Sequence, residues 1–163
     1  MDHCVGIGGY AISGGQEDVI KTFALSTCVG IVYYSMRKRV LGMVHIQLPS
    51  SSNATDNNPS RYADLAPGFL LKEMQRKYSL TKGELLVSLF GGIDPRESDF
   101  FRIGEKNVRE VKKTLKELGL VYSDVDTGGA DSRTLIAYVS SGIVEVIKRP
   151  MIVNPPRGFI NKT

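Results

Sequence analysis

The sequence predicts an α+β fold in a single domain, and three observations carry that reading. Short runs rich in β-branched and aromatic residues recur along the chain, each bounded by turn residues. Only two segments carry clear helix signals. The length, 163 residues with 42% hydrophobic and 23% charged, suits one core of ordinary globular composition. Strands mixed with few helices fall in the α+β class.

The strand candidates, in order, are Val5–Ile12, Val29–Tyr34, Val40–Gln47, Leu85–Phe90, Val121–Val125, Thr134–Val139 and Ile143–Ile147. Val139-Ser-Ser-Gly-Ile143 reads as a hairpin joining the last two. The first helix is predicted to start after Asp64 as N-cap, with Pro67 in its first turn, and to end near Tyr78. The second is predicted over Glu105–Leu118. Val108, Val111, Leu115 and Leu118 form its apolar stripe, and Gly119 marks its C-cap. Between Pro49 and Pro59 the chain is polar and turn-rich, which predicts a surface loop. A domain over residues 1–150 is expected, with 151–163 as a C-terminal tail around Asn154-Pro-Pro-Arg-Gly158.

Composition narrows the function classes. A net charge of +4 and a pI near 9.1 are too mild to imply nucleic acid without a clustered patch. Arg102, Lys106, Arg109, Lys113 and Lys116 recur at three- and four-residue steps on the second helix. They read as a solvated face, or as a stripe that docks an acidic partner. The two cysteines, Cys4 and Cys28, make neither a disulfide framework nor a metal spacing. A reducing cytoplasm and no metal are therefore expected. No secretory leader is legible, and no apolar stretch approaches the ~18 residues of a membrane span, so no membrane insertion is expected.

Cys28 and His45 are the residues best suited to chemistry. Cys28 lies in Thr22-Phe-Ala-Leu-Ser-Thr-Cys28-Val-Gly30, before an apolar run. A thiol at a strand end can be held rigidly for nucleophilic attack, yet the segment alone equally suits an inert core cysteine. His45 lies mid-strand on the face of Met43 and Gln47, remote from the other histidine, His3, in a start expected to fray. It fits a satisfied core histidine or the base of a Cys–His pair on adjacent strands. Two other motifs carry no function. Asp126-Thr-Gly-Gly129 holds the aspartic-protease triplet only once, where two are needed, and its glycines read as turn geometry. Gly6-Ile-Gly8-Gly9 has no room for the strand that a dinucleotide loop requires.

Together these residues resemble the CheD family of chemoreceptor glutamine deamidases. The landmarks fall in the family's order. They are Thr22 six residues before Cys28, His45-Ile-Gln-Leu-Pro49, Arg61-Tyr-Ala-Asp64-Leu-Ala66, Phe90-Gly-Gly92, Ile103-Gly104-Glu-Lys-Asn107-Val108, Asp126-Thr-Gly-Gly129 and Arg133. The resemblance implies a mixed β-sheet core with flanking helices, similar to toxin-type cysteine deamidase domains. It implies a Cys28–His45–Thr22 triad that deamidates glutamines of methyl-accepting chemotaxis receptors without a cofactor. Ser26, Thr27, Gly128 and Gly129 would then form the substrate or oxyanion region. Some family members bind a CheC-type phosphatase, for which Phe100 and Phe101 would be apolar contacts. This gives an alternative role as a binding regulator, and esterase chemistry on methylated glutamates is a third. The chain departs from the family pattern beside the thiol. Leu25-Ser-Thr-Cys28 stands where the family has Leu-Gly-Ser-Cys, Ala24 replaces another glycine, and Ala130 replaces an asparagine.

Overall fold

The computed structural model describes residues 1–94 and 101–151. Nine strands and two α-helices appear among them: β1 (Asp2–Val5), β2 (Tyr10–Ser13), β3 (Val19–Leu25), β4 (Val29–Ser35), β5 (Val40–Ile46), α1 (Ala66–Tyr78), β6 (Leu85–Gly91), α2 (Ile103–Glu117), β7 (Tyr122–Thr127), β8 (Asp131–Tyr138) and β9 (Val144–Pro150). The α+β class is observed. The strands form two mixed sheets, ordered β1-β3-β8-β9 and β2-β5-β4-β6-β7. The pairs β1/β3 and β6/β7 are parallel and the others antiparallel.

The central strands β4 and β5 are buried along their whole length, because both faces of their sheet are covered. On one face Val29, Ile31, Tyr33, Val44 and Ile46 pack with Leu70 and Met74 of α1 and Val111 and Leu115 of α2. On the other, Cys28, Val32, Tyr34, Leu41 and Met43 pack with Ile20 and Leu25 of β3 and Leu135 and Ala137 of β8. The layers therefore run helices, five-stranded sheet, four-stranded sheet. Each fully buried Leu, Ile or Val contributes roughly 1.5–3 kcal/mol.

Several expectations need correction. The run Val5–Ile12 is two strands, β1 and β2, in different sheets, because the glycines between them turn the chain. β3 is absent from the predicted set. Its alternation breaks: polar Thr22 points inward, Phe23 is exposed, and a bulge lies between Thr22 and Leu25. The chain start is not frayed. β1 pairs with β3, and His3 and Ser13 both hydrogen-bond to Asp18. Asp64 is not the α1 N-cap, which is Leu65; its carboxylate instead accepts from the Ser51 N–H and hydroxyl, tying down the Pro49–Pro59 loop. The tail around Asn154 lies outside the described residues.

Candidate active site

The candidate site lies between the two sheets, where a hydroxyl from one meets an imidazole from the other. His45 pairs with Gly30 across β4 and β5, and Cys28 precedes Gly30 by two residues. Alternation therefore points Cys28 and His45 to the same inter-sheet face. Cys28 stands just before β4 and His45 on β5, diagonal to one another at the end of the ladder. Thr22 faces them from β3, fully buried.

The hydrogen bonds fix the imidazole tautomer. The Thr22 Oγ1 hydroxyl lies 2.7 Å from the Val5 carbonyl oxygen, which can only accept, so the single hydroxyl hydrogen goes there. His45 Nδ1 is 2.7 Å from the same Oγ1 and must therefore donate. Nε2 is left with its lone pair. It is buried and makes no hydrogen bond, to Cys28 or to any other described group. An unpartnered buried nitrogen costs stability.

Burial sets the protonation states. His45 is 1% exposed, and desolvation pulls its pKa down to about 4. Cys28 is 8% exposed, and burial pushes its thiol up to about 11. Both groups are neutral at rest.

The backbone around Cys28 is tied at several points. Ser26 O accepts from the Ile93 N–H, Cys28 O from the Gly92 N–H, and Thr27 O from the Asn107 side chain. Gly91 cannot carry a side chain, because its φ is +91° and a Cβ would fall 2.5 Å from Cys28 O. The Gly91 carbonyl accepts from the Gly128 N–H, which brings the Gly128-Gly129 turn beside the Cys28 loop. Both turn glycines have positive φ, in keeping with the turn-geometry reading. Buried Arg133 braces this turn by donating to Asp126 at 3.0 Å and to the Asp131 carbonyl. Burial raises the Asp126 carboxyl, but hydrogen bonds from Arg133 and Lys148 outweigh it and hold the group low.

A cavity of about 490 Å³ opens next to this turn, lined by Gly92, Val108, Lys112 and Thr127–Gly129 among others. Cys28, His45 and Thr22 do not line it. Phe101 is 72% exposed just before α2; Phe100 lies outside the described residues. The basic stripe is exposed, with Arg102 and Arg109 both paired to Glu105. Among the described residues no three His, Cys, Asp or Glu side chains group to hold a metal. No helix among them is long and apolar enough to cross a membrane.

Sequence reasoning did not give Asn107 a role. It is fully buried and bonds to carbonyls on both sides of the candidate pair. Its position one turn before Val111, on the apolar stripe, was the available signal.

Comparison with known proteins places this architecture. Residues 47–148 match the family model described as CheD chemotactic sensory transduction. That match begins just after His45. A Pyrococcus abyssi protein named "Probable chemoreceptor glutamine deamidase CheD" is 39% identical over 148 residues, covering 88% of this chain and 90% of that protein. One of the same name from Syntrophotalea carbinolica is 37% identical, covering 89% and 93%. Among solved structures, the Bacillus licheniformis hypothetical protein YfiH aligns with a TM-score of 0.48 at 7% identity, over 74% of this chain and 50% of that one. The family-model match and the relatives, which span nearly the whole sequence, lead to one conclusion: this chain belongs to the CheD family.

Proposed function

We propose that this protein hydrolyses glutamine side-chain amides of methyl-accepting chemotaxis receptors to glutamate in the cytoplasm. Cys28 is the nucleophile, His45 the general base and Thr22 the group that orients the imidazole. The observation that carries the reading is the free Nε2 lone pair, held by the Thr22 bond at Nδ1 and facing the side of the sheet from which Cys28 projects. The names of the relatives supply the substrate class.

The chemistry follows from neutral partners. Nε2 takes the Cys28 proton as Sγ bonds to the amide carbon. With both groups desolvated, this transfer accompanies attack instead of preceding it. Backbone N–H groups at Ser26, Thr27 and Gly129 are the donors for the tetrahedral oxyanion, the Gly128 N–H being committed to the Gly91 carbonyl. Protonated His45 returns the proton to nitrogen, the C–N bond breaks, and ammonia leaves. Water, deprotonated by Nε2, then attacks the thioester, releasing glutamate and the Cys28 thiol. The steps balance without a cofactor. A neutral threonine stabilises imidazolium less than a carboxylate does, so Thr22 mainly orients the ring.

Mass spectrometry of receptor cytoplasmic fragments tests the reading. Wild type produces the mass gain of amide-to-acid conversion and Cys28→Ala does not; no gain with wild type would sink it. Exposed Phe101 favours a second reading, docking of a CheC-type phosphatase. Phosphatase capture that survives Cys28→Ala but is lost in Phe101→Ala supports that role.

A further inference from the structure

We infer that Asn107 is a positioning residue whose carboxamide clamps the Cys28 loop to the end of the His45 strand and so sets the geometry of the pair. The inference rests on the Cys28–His45 chemistry proposed above and goes beyond it by naming a residue that acts through them.

The β4/β5 ladder ends at Val29 opposite Ile46. Beyond that rung nothing in the ladder holds the strands together, yet the thiol sits one residue further out. Asn107 fills that gap. Its Nδ2 donates to Thr27 O at 2.8 Å and to Gln47 O at 3.1 Å. One carbonyl immediately precedes Cys28, and the other lies two residues after His45. Both partners can only accept, so the amide orientation is determined by the network.

The arrangement is costly, which argues against chance filling. Asparagine is a mediocre helix former, and this one is 0% exposed inside α2. Its Oδ1 is buried with no hydrogen-bond partner, a penalty that an apolar residue would avoid. The helix is also held close enough for the reach. Gly104 passes so near the Ile93 carbonyl that a Cβ would lie 2.3 Å from its oxygen, and Asp94 caps the Gly104 and Glu105 N–H groups. Ile93 in turn bonds Ser26 O. Helix, loop and strand end thus form one rigid unit around the thiol.

The test uses the full chain with Asn107→Ala and the near-isosteric Asn107→Asp, whose carboxylate repels both carbonyls. For receptor-fragment deamidation, kcat falls roughly 10- to 100-fold in each, the scale of a misplacement near 1 Å, while KM stays within about threefold. A substrate-free readout accompanies it. Iodoacetamide labelling of Cys28 relative to Cys4 in the same molecule, well below Tm, rises about fivefold or more as the strand end opens locally. If wild type fails to deamidate, the proposed function falls, while the labelling ratio still decides the clamp. If wild type deamidates and both variants keep kcat and the labelling ratio, the clamp is overturned. Loss of fold in both variants overturns it too, since Asn107 would then determine the fold and not the site.

Discussion

The two faces of the five-stranded sheet are built from alternate residues of the same strands and do different work. The helix-side face is apolar almost throughout, with Tyr33 sending its hydroxyl to the Pro67 carbonyl. The inter-sheet face carries Cys28 and His45 among its apolar residues, and across it the four-stranded sheet presents Thr22 and, near the edge, Arg133. On the first face burial yields stability alone. On the second it also leaves a thiol protonated, an imidazole neutral and Nε2 unpartnered. One pleated sheet thus carries its helix packing on one side and the candidate pair on the other, because side chains alternate.

Mutations on the two faces should separate these properties. Cys28→Ala is expected to lower deamidation about a thousandfold or more while costing only about 1 kcal/mol of stability from the small void. Comparable instability and inactivity would blur the distinction; denaturant melts and product mass spectra measure both. On the helix side, Leu70→Ala should cost about 2–5 kcal/mol, with the rate per folded molecule unchanged. A specific-activity loss matching that of Cys28→Ala would break the comparison.

Titration sharpens it next. His45 has its pKa depressed in the fold, from 6.5 to about 4. Between those values the unfolded chain binds the extra proton and the fold does not, so stability drops as pH falls from about 6.5 toward 4. The loss is on the order of 2–3 kcal/mol. His45→Asn should flatten that part of a stability-versus-pH curve; an unchanged slope would refute the assignment. The smallest effect concerns Ala24, which sits at φ +54° in the β3 bulge. Left-handed backbone penalises any side chain, so Ala24→Gly should stabilise by about 1 kcal/mol. A lower Tm for that variant would show that the bulge owes its shape to something other than backbone strain.

Ala24 also shows how sequence and structure inform each other. The family pattern has glycine there, and the positive φ gives the reason. β4 and β5 were legible because both are continuous apolar runs, and α2 because its stripe keeps the helical period. β3 was not legible, since an inward Thr22 and an outward Phe23 reverse the usual pattern on either side of a bulge. For Asn107 the apolar stripe signalled burial, but the carbonyls that its side chain reaches lie in distant segments and are legible only in space.

The α+β class, the two helices, most strands and the family resemblance are readable from residue order, because local period and motif spacing are one-dimensional properties. The split into two sheets, the reach of Thr22 across them to His45 and the proton on Nδ1 emerge only in three dimensions. Each depends on which carbonyl or hydroxyl lies across a gap from residues far away in the chain. Hydrogen-bond partners at that separation follow from packing, and no local pattern encodes them.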